Sequence, residues 1–248
     1  MSLEVLVLGV GDAFSALHYS TCLALRAEGQ WLLIDCPHPI RKILRESSQL
    51  AGLELDVGDL AGVVVTHLHA DHASGLEGLG YFGFFALGRK LPLLIEPVAG
   101  ERLWEGCLAA GMELLLPAVD QPPDEKELND YFERRDLDLE ASVALGPFQI
   151  ECRRTIHHIP TTALRITAGG RTLAYSADTA FDPSLIEWLS PGDLVIHETN
   201  LGIHTPYERL RELPAELREK MRLIHYPDRF EEEEREIECL REGALLSV

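Results

Sequence analysis

The stretch His67-Leu68-His69-Ala70-Asp71-His72 places four metal-binding side chains within six residues. Just before it runs Ala61-Gly62-Val63-Val64-Val65-Thr66, a short apolar segment rich in β-branched residues that reads as a buried strand. Ala73-Ser74-Gly75-Leu76 follows, where a helix can begin. The cluster therefore sits on a turn at a strand end, where polar side chains can converge on one point. His67 and His69 are two residues apart, so at the end of a strand they point the same way and can grip one metal ion. Asp71 and His72 follow in the turn and can reach a second ion beside the first. Mixed imidazole and carboxylate ligands suit zinc, and also manganese or iron. The plainer alternative is a His-rich surface loop, which does not account for this spacing behind an apolar strand.

H-x-H-x-D-H after an apolar strand resembles the signature of the metallo-β-lactamase-fold hydrolases. The resemblance implies an α/β fold, a four-layer αββα sandwich. Two mixed β-sheets pack face to face, helices lie outside, and a dinuclear metal site runs along one edge. It spans nearly the whole chain, so residues 1–248 are expected to form a single domain.

Composition fits a folded enzyme better than a nucleic-acid binder. The chain has 248 residues, 46% hydrophobic and 25% charged, which is ordinary for a globular protein. The formal net charge of −19 disfavours broad binding to nucleic acid, where Lys and Arg neutralise phosphates. No stretch approaches the roughly 20 apolar residues of a membrane span. Met1-Ser2-Leu3-Glu4 lacks the basic start of a signal peptide. The five Cys are odd in number and scattered, and read as free thiols in a reducing cytoplasm.

Before the motif, Leu3–Leu8, Thr21–Ala27 and Trp31–Ile34 read as strands, the last two joined at Glu28-Gly29-Gln30. Gly9-Val10-Gly11 is a tight turn and not a dinucleotide fingerprint, because no third glycine opens a helix. Asp35 sits at a strand end. It either caps the helix expected at Ile40–Leu50 or, as the resemblance implies, lies beneath the metal site and orients its ligands. Pro37 stands where the family commonly has Gly, and His38 either borders the site mouth or lies on plain surface. After the motif, Leu76–Leu87 and Pro97–Ala110 read as helices, the second with Leu103, Trp104, Cys107 and Leu108 on one face. Leu91–Ile95 reads as a strand between them. The acidic segment 120–140 reads as a solvated connection with a short helix around Glu125–Arg134.

The second half completes the ligand set. Phe148–Ile156 reads as a strand ending at His157-His158-Ile159-Pro160-Thr161-Thr162-Ala163-Leu164-Arg165. Alternation lets only one of the two histidines face the metals. The ribonuclease Z-like branch shows H-x-x-P-[ST]-x-G-[YL]-R here, which this sequence matches except for Ala163 in place of Gly. That resemblance picks His157 and makes His158 a neighbour. Asp178 follows the strand Thr172–Tyr175, and a carboxylate there can bridge two metals. Capping the helix Asp182–Leu189 is its alternative role, one that Asp182 already fills. His197-Glu198-Thr199-Asn200 with His204-Thr205 resembles the H-E-[AT]-x…H-[ST] segment of the same branch. In that branch the later His acts near the leaving group with a Glu behind it, here His204 and Glu198. His204 could instead cap the next helix. His225, after the strand Met221–Ile224, matches the last His ligand of the family.

The full reading puts His67, His69 and His157 on one divalent ion, Asp71, His72 and His225 on the other, and Asp178 between. Zinc is the first choice, with manganese or iron open. Two such ions hold a bridging water and lower its pKa to near 7. The expected activity is hydrolysis of a small phosphodiester, with Asp71 orienting the hydroxide and His204 protonating the leaving oxygen. Other esters, lactones or sulfate esters are alternatives, as is a metal-containing binding or regulatory module. A structural zinc is closed by four ligands, whereas this set leaves room for water. The expected partner is a small-molecule substrate, and a homodimer stays open. The chain lacks the long Gly/Pro-rich basic arm with which transfer-RNA-processing relatives hold RNA. That absence and the net charge argue against transfer RNA as the substrate.

Overall fold

The computed structural model describes residues 2–248. In the first half run β1 (Glu4–Gly9), β2 (Cys22–Ala27), β3 (Gln30–Ile34), α1 (Ile40–Leu50), β4 (Leu60–Val65), α2 (Ala70–Ala73), α3 (Leu76–Tyr81) and β5 (Leu91–Ile95). Next come α4 (Pro97–Leu103), α5 (Ala109–Met112), a small hairpin of β6 (Leu114–Leu115) and β7 (Asp124–Glu125), α6 (Leu128–Tyr131) and β8 (Phe132–Asp136). The second half holds β9 (Val143–Leu145), β10 (Phe148–Arg154), β11 (Thr162–Ala168), β12 (Arg171–Tyr175), α7 (Pro183–Leu189) and β13 (Leu194–Glu198). It continues through α8 (Tyr207–Arg211), α9 (Ala215–Glu219), β14 (Met221–Ile224), β15 (Glu238–Cys239) and β16 (Leu245–Ser247).

Two seven-stranded sheets result, ordered β16-β1-β2-β3-β4-β5-β8 and β15-β14-β13-β12-β11-β10-β9. Each is antiparallel at one side and parallel at the other. Alternation along the strands divides the core into layers. Val64 of β4 joins the apolar cluster between the sheets, while Val63 and Val65 face the cluster under the helices. Ile196 of β13 points into the inter-sheet core and Val195 into the outer one. This is the expected αββα sandwich of two mixed sheets. No helix among the described residues is long and apolar enough to cross a membrane.

Several local readings need correction. The strand expected over Phe148–Ile156 stops at Arg154, so His157 and His158 lie in a loop and alternation does not govern them. The helix expected around Glu125–Arg134 is only α6, and Phe132–Asp136 is instead an edge strand, parallel to β5. Its charged residues hid it, because an edge strand needs only Phe132 buried. The helices at 76–87 and 97–112 each contain a π-helical stretch, Phe82–Leu87 and Trp104–Leu108. The second one leaves Cys107 exposed while Leu103 and Leu108 stay buried, so the expected single face is broken.

Gly75 fixes how the metal-motif loop joins the rest. Its N–H donates to Cys36 O at 2.7 Å, and Cys36 N–H donates to His72 O at 2.7 Å. A Cβ at Gly75 would lie 2.4 Å from Pro37 O and 2.8 Å from Cys36 O. At Gly78, in α3, it would meet nothing within 4 Å. Gly75→Ala is expected to destabilise the protein by roughly 1–3 kcal/mol. Gly78→Ala should be neutral or stabilising by up to about 1 kcal/mol. Urea unfolding of the two variants beside the parent checks both signs.

Candidate metal centre

Every ligand-type residue named from the sequence lies beyond the C-terminal end of a strand. His67 and His69 follow β4, and Asp71 and His72 occupy α2. His157 lies in the loop after β10, Asp178 in the loop after β12, and His225 directly after β14. Strands from both sheets thus deliver side chains to one edge. His67, His69, His157 and Asp178 each offer a ligand atom within 4.8 Å of one another, and so do Asp71, His72 and His225.

His69 Nδ1 lies 3.2 Å from His67 Nε2 and 3.1 Å from His157 Nε2. Nitrogens bound at 2.0–2.1 Å to one tetrahedral ion are about 3.3 Å apart. Asp178 reaches both groups. Its Oδ2 is 3.7 Å from His67 Nε2, 3.6 Å from His157 Nε2 and 3.4 Å from His225 Nε2. Its Oδ1 is 3.4 Å from His72 Nε2, which is 3.3 Å from Asp71 Oδ2.

Hydrogen bonds behind the site hold the rings of His67, His72 and His225 by their far nitrogens, whereas His157 Nδ1 is buried without a partner. Asp35 is fully buried and accepts from Thr66 N–H at 2.8 Å and from His72 Nδ1–H at 2.9 Å. The Thr66 hydroxyl donates to Asp35 and accepts from His67 Nδ1–H at 3.0 Å. The Thr21 hydroxyl donates to Gly11 O and accepts from His225 Nδ1–H at 3.1 Å. These partners leave Nε2 of His67, His72 and His225 unprotonated on the site side once the rings are neutral, the form that binds metal. Asp35 thus holds the candidate ligand His72 and, through Thr66, His67, and does not cap α1, whose N-terminus has no side-chain cap. Thr66 and Thr21 were not singled out in the sequence. Thr66 was recognisable by its place before His67, whereas nothing near Thr21 pointed to a histidine 204 positions away.

The donor set fits a divalent cation. His72 Nε2 and Asp178 Oδ1 are buried and have no hydrogen-bond partner. Burial pushes the His157 ring down to about 4 and, with repulsion from His72, holds His67 well below its ordinary range. These rings are therefore neutral at pH 7. At His72 burial also opposes charge, but Asp178 and Asp35 outweigh it and raise the ring well above its usual value. His72 without metal is thus an imidazolium between carboxylates, a position a divalent cation can take over. Backbone strain gathers here as well. Asp35, Ala177 and His225 all have left-handed φ, at 61°, 48° and 58°.

Glu198 and His204 lie at the rim. His204 Nδ1–H donates to Glu198 Oε1 at 2.9 Å, and Thr179 N–H donates to the same oxygen at 2.9 Å. The His204 ring centroid is 5.3 Å from that of His157 and 5.4 Å from that of His225. Burial pushes the Glu198 carboxyl up to about 7, against the hydrogen bond from His204. Burial opposes charge on His204, but Glu198 outweighs it and raises the ring. No cap hydrogen bond from His204 to α8 accounts for its position. Among the other histidines, His158 is exposed with its ring 5.1 Å from that of His157, and His38 is exposed near Ser74.

A family model described as Anti-Pycsar protein Apyc1 matches residues 3–242. The chain belongs to the Apyc1 family. An Anti-Pycsar protein Apyc1 of Bacillus phage 010DV004 is 32% identical over 246 residues, covering 93% of this chain and 91% of that one. Among solved structures, the metallo-β-lactamase fold protein YhfI from Bacillus subtilis covers 100% of both chains with a TM-score of 0.77 at 19% identity. The short form of human tRNase Z covers 98% of both with a TM-score of 0.67 at 22% identity. At those identities the two structures speak for the fold, and they bear out the metallo-β-lactamase resemblance of this Apyc1-family chain.

Two outcomes are expected from the geometry. His157→Ala should lose bound metal while His158→Ala retains it, read by elemental analysis after gel filtration. Retention in the first with loss in the second would reverse the two roles. Metal uptake at pH 7 should release about one proton from His72. Calorimetry in buffers of different ionisation enthalpy measures this, and no release would remove His72 from the ligand set.

Proposed function

We propose that the chain is a metal-dependent hydrolase of a small phosphodiester, cyclic diesters included. His67, His69 and His157 would hold one divalent ion, zinc first and manganese or iron next. Asp71, His72 and His225 would hold a second, with Asp178 shared between them. Two divalent ions there supply an activated water and polarise the substrate's phosphoryl oxygens.

The observation that carries the choice of substrate is the Glu198–His204 pair. Its Nδ1–H is committed to Glu198, so the Nε2 side of the ring is the one that can present a proton to the site. A sugar or alkyl oxygen is a poor leaving group and needs that proton, whereas a good leaving group does not. Glu198 keeps the imidazole charged and fixes its plane. Asp71, largely buried beside His72, would orient the attacking water and take its proton. A net charge of −19 weighs against a long polyanion. Hydrolysis of other esters, lactones or sulfate esters remains the second reading, because the metal-held water would be the same.

His204→Ala is expected to slow 3′,5′-cyclic and alkyl phosphodiesters by roughly 10²–10⁴-fold and nitrophenyl phosphodiesters far less. Metal content should stay unchanged. Because a general acid must be protonated, the rate on alkyl diesters should fall as pH rises through the raised pKa of His204. That limb should vanish in the variant. Equal losses on both substrate types would give His204 another role. No turnover of any phosphodiester by the metal-loaded parent, with turnover of lactones or sulfate esters, would favour the second reading.

A further inference from the structure

Outside the ligand set, a polar contact joins the two sheets at the edge where the candidate centre lies. Asp12 follows β1 of the first sheet and is buried. Its Oδ1 accepts from Phe14 N–H at 2.9 Å, and its Oδ2 accepts from Asn200 Nδ2–H at 2.9 Å. Asn200 follows β13 of the second sheet, and its amide also donates to His225 O at 3.2 Å. Both Nδ2 protons are thereby used, and Asn200 Oδ1 accepts from Leu201 N–H at 2.7 Å. Nothing in the reaction above uses either residue.

Asn200 also opens a tight loop that closes at Thr205. Asn200 N–H and the Thr199 hydroxyl both donate to Thr205 O, at 3.2 and 3.0 Å. The Thr205 hydroxyl donates to Thr179 O at 3.0 Å. Between those pinned ends the chain runs over the surface, with Leu201 and Ile203 exposed. His204 sits on this loop. Its bond to Glu198 fixes Nδ1 and leaves the direction of Nε2 to be set by the backbone. Proton transfer needs a contact of about 2.6–3.2 Å between donor and acceptor. A misplacement of about 1 Å costs on the order of 10²-fold in rate. The foot of the loop must therefore be fixed against the site. Asn200 makes that connection, to the peptide of His225 on one side and to the first sheet on the other.

We propose that Asp12 and Asn200 are a positioning pair for the leaving-group side of the reaction, holding the 200–205 loop so that His204 Nε2 meets the departing oxygen. The pair rests on the phosphodiester reading above. It acts through His204 and takes no part itself in bond cleavage. By tying the loop of His204 to the peptide of His225, it keeps the proton donor and the candidate ligands in one frame although they come from different loops.

Exchanging the two side chains tests the pair on the metal-loaded protein. Asn200→Asp keeps an acceptor for Leu201 N–H but faces Asp12 with a second carboxylate. Asp12→Asn keeps an acceptor for Phe14 N–H but faces the Asn200 amide with a second donor. Each single variant should lower kcat for adenosine 3′,5′-cyclic phosphate by about 10–100-fold. The loss on methyl 4-nitrophenyl phosphate should stay below about threefold, because that leaving group needs no proton. Where Asn200→Asp does not fold, Asn200→Ala, which adds no charge, should show the same split. In the double variant Asp12→Asn with Asn200→Asp, amide and carboxylate have changed places and the bond re-forms in the opposite direction. It should regain at least about tenfold in kcat for the cyclic diester, the signature of direct coupling in a double-mutant cycle. Hydrogen–deuterium exchange reads the loop without turnover. Peptides spanning residues 199–206 should exchange faster in Asn200→Asp and return towards the parent in the double variant. Equal losses on the two diesters, parental rates in the single variants, or restored loop protection in the double variant without restored turnover of the cyclic diester would overturn the proposal and leave the hydrolase reading standing. A metal-loaded parent that turns over no phosphodiester, with the exchange pattern as expected, would overturn the phosphodiester reading alone and leave the pair as the clamp of the His204 loop.

Discussion

Asp35 sits in full burial at the top of the first sheet and accepts hydrogen bonds from Thr66 and His72. A carboxylate in that position is costly unless all its partners are in place. Those partners are the residue before His67 and the candidate ligand His72 from the following helix, so satisfying Asp35 also aims the motif. Cys36, the next residue, is tied to His72 O and Gly75 N. The loop after β3 and the loop after β4 are thereby locked into one body, and the candidate site is built on it.

The same body carries the local cost of the site. The Nε2 atoms of His67 and His157 each lie about a coordination edge from His69 Nδ1, and three non-glycine residues stand at left-handed φ. Such features persist only where surrounding structure over-determines them. Here the two sheets do so. Their inter-sheet core runs from Leu3 and Val5 to Ile224 and Tyr226, immediately beside His225. Apolar packing thus fixes the separation of strand ends, and strand ends fix the separation of ligands.

The candidate metal centre and a neighbouring cavity rest on different elements. The histidines and carboxylates sit on short tight loops at strand ends, whereas the cavity beside His69 depends on a helical irregularity and on the loop after β10. Glu198 and His204 form an intermediate case. Glu198 belongs to β13, but His204 comes from a loop folded back on it, with Asn200 N–H donating to Thr205 O.

Local sequence determined much of this protein. The strand ending at His67, α1 at Ile40–Leu50, and β5 and β14 are legible because apolar runs and turn residues act over a few positions. The ligand-type residues are legible because metal chemistry restricts the side chains that serve. Their grouping came from the motif spacing for the first half and from family resemblance for the second. Tertiary structure decided the rest. It chose between the two roles of Asp35, because a cap and a ligand-orienting carboxylate look alike until Thr66 and His72 are beside it. It made an edge strand of Phe132–Asp136, whose charged residues gain order only from pairing with β5. It placed His157 towards the site from a loop, where strand alternation has no force. It also opened the cavity at Cys107, since a π-helical turn depends on long-range packing and leaves no periodic trace in the sequence.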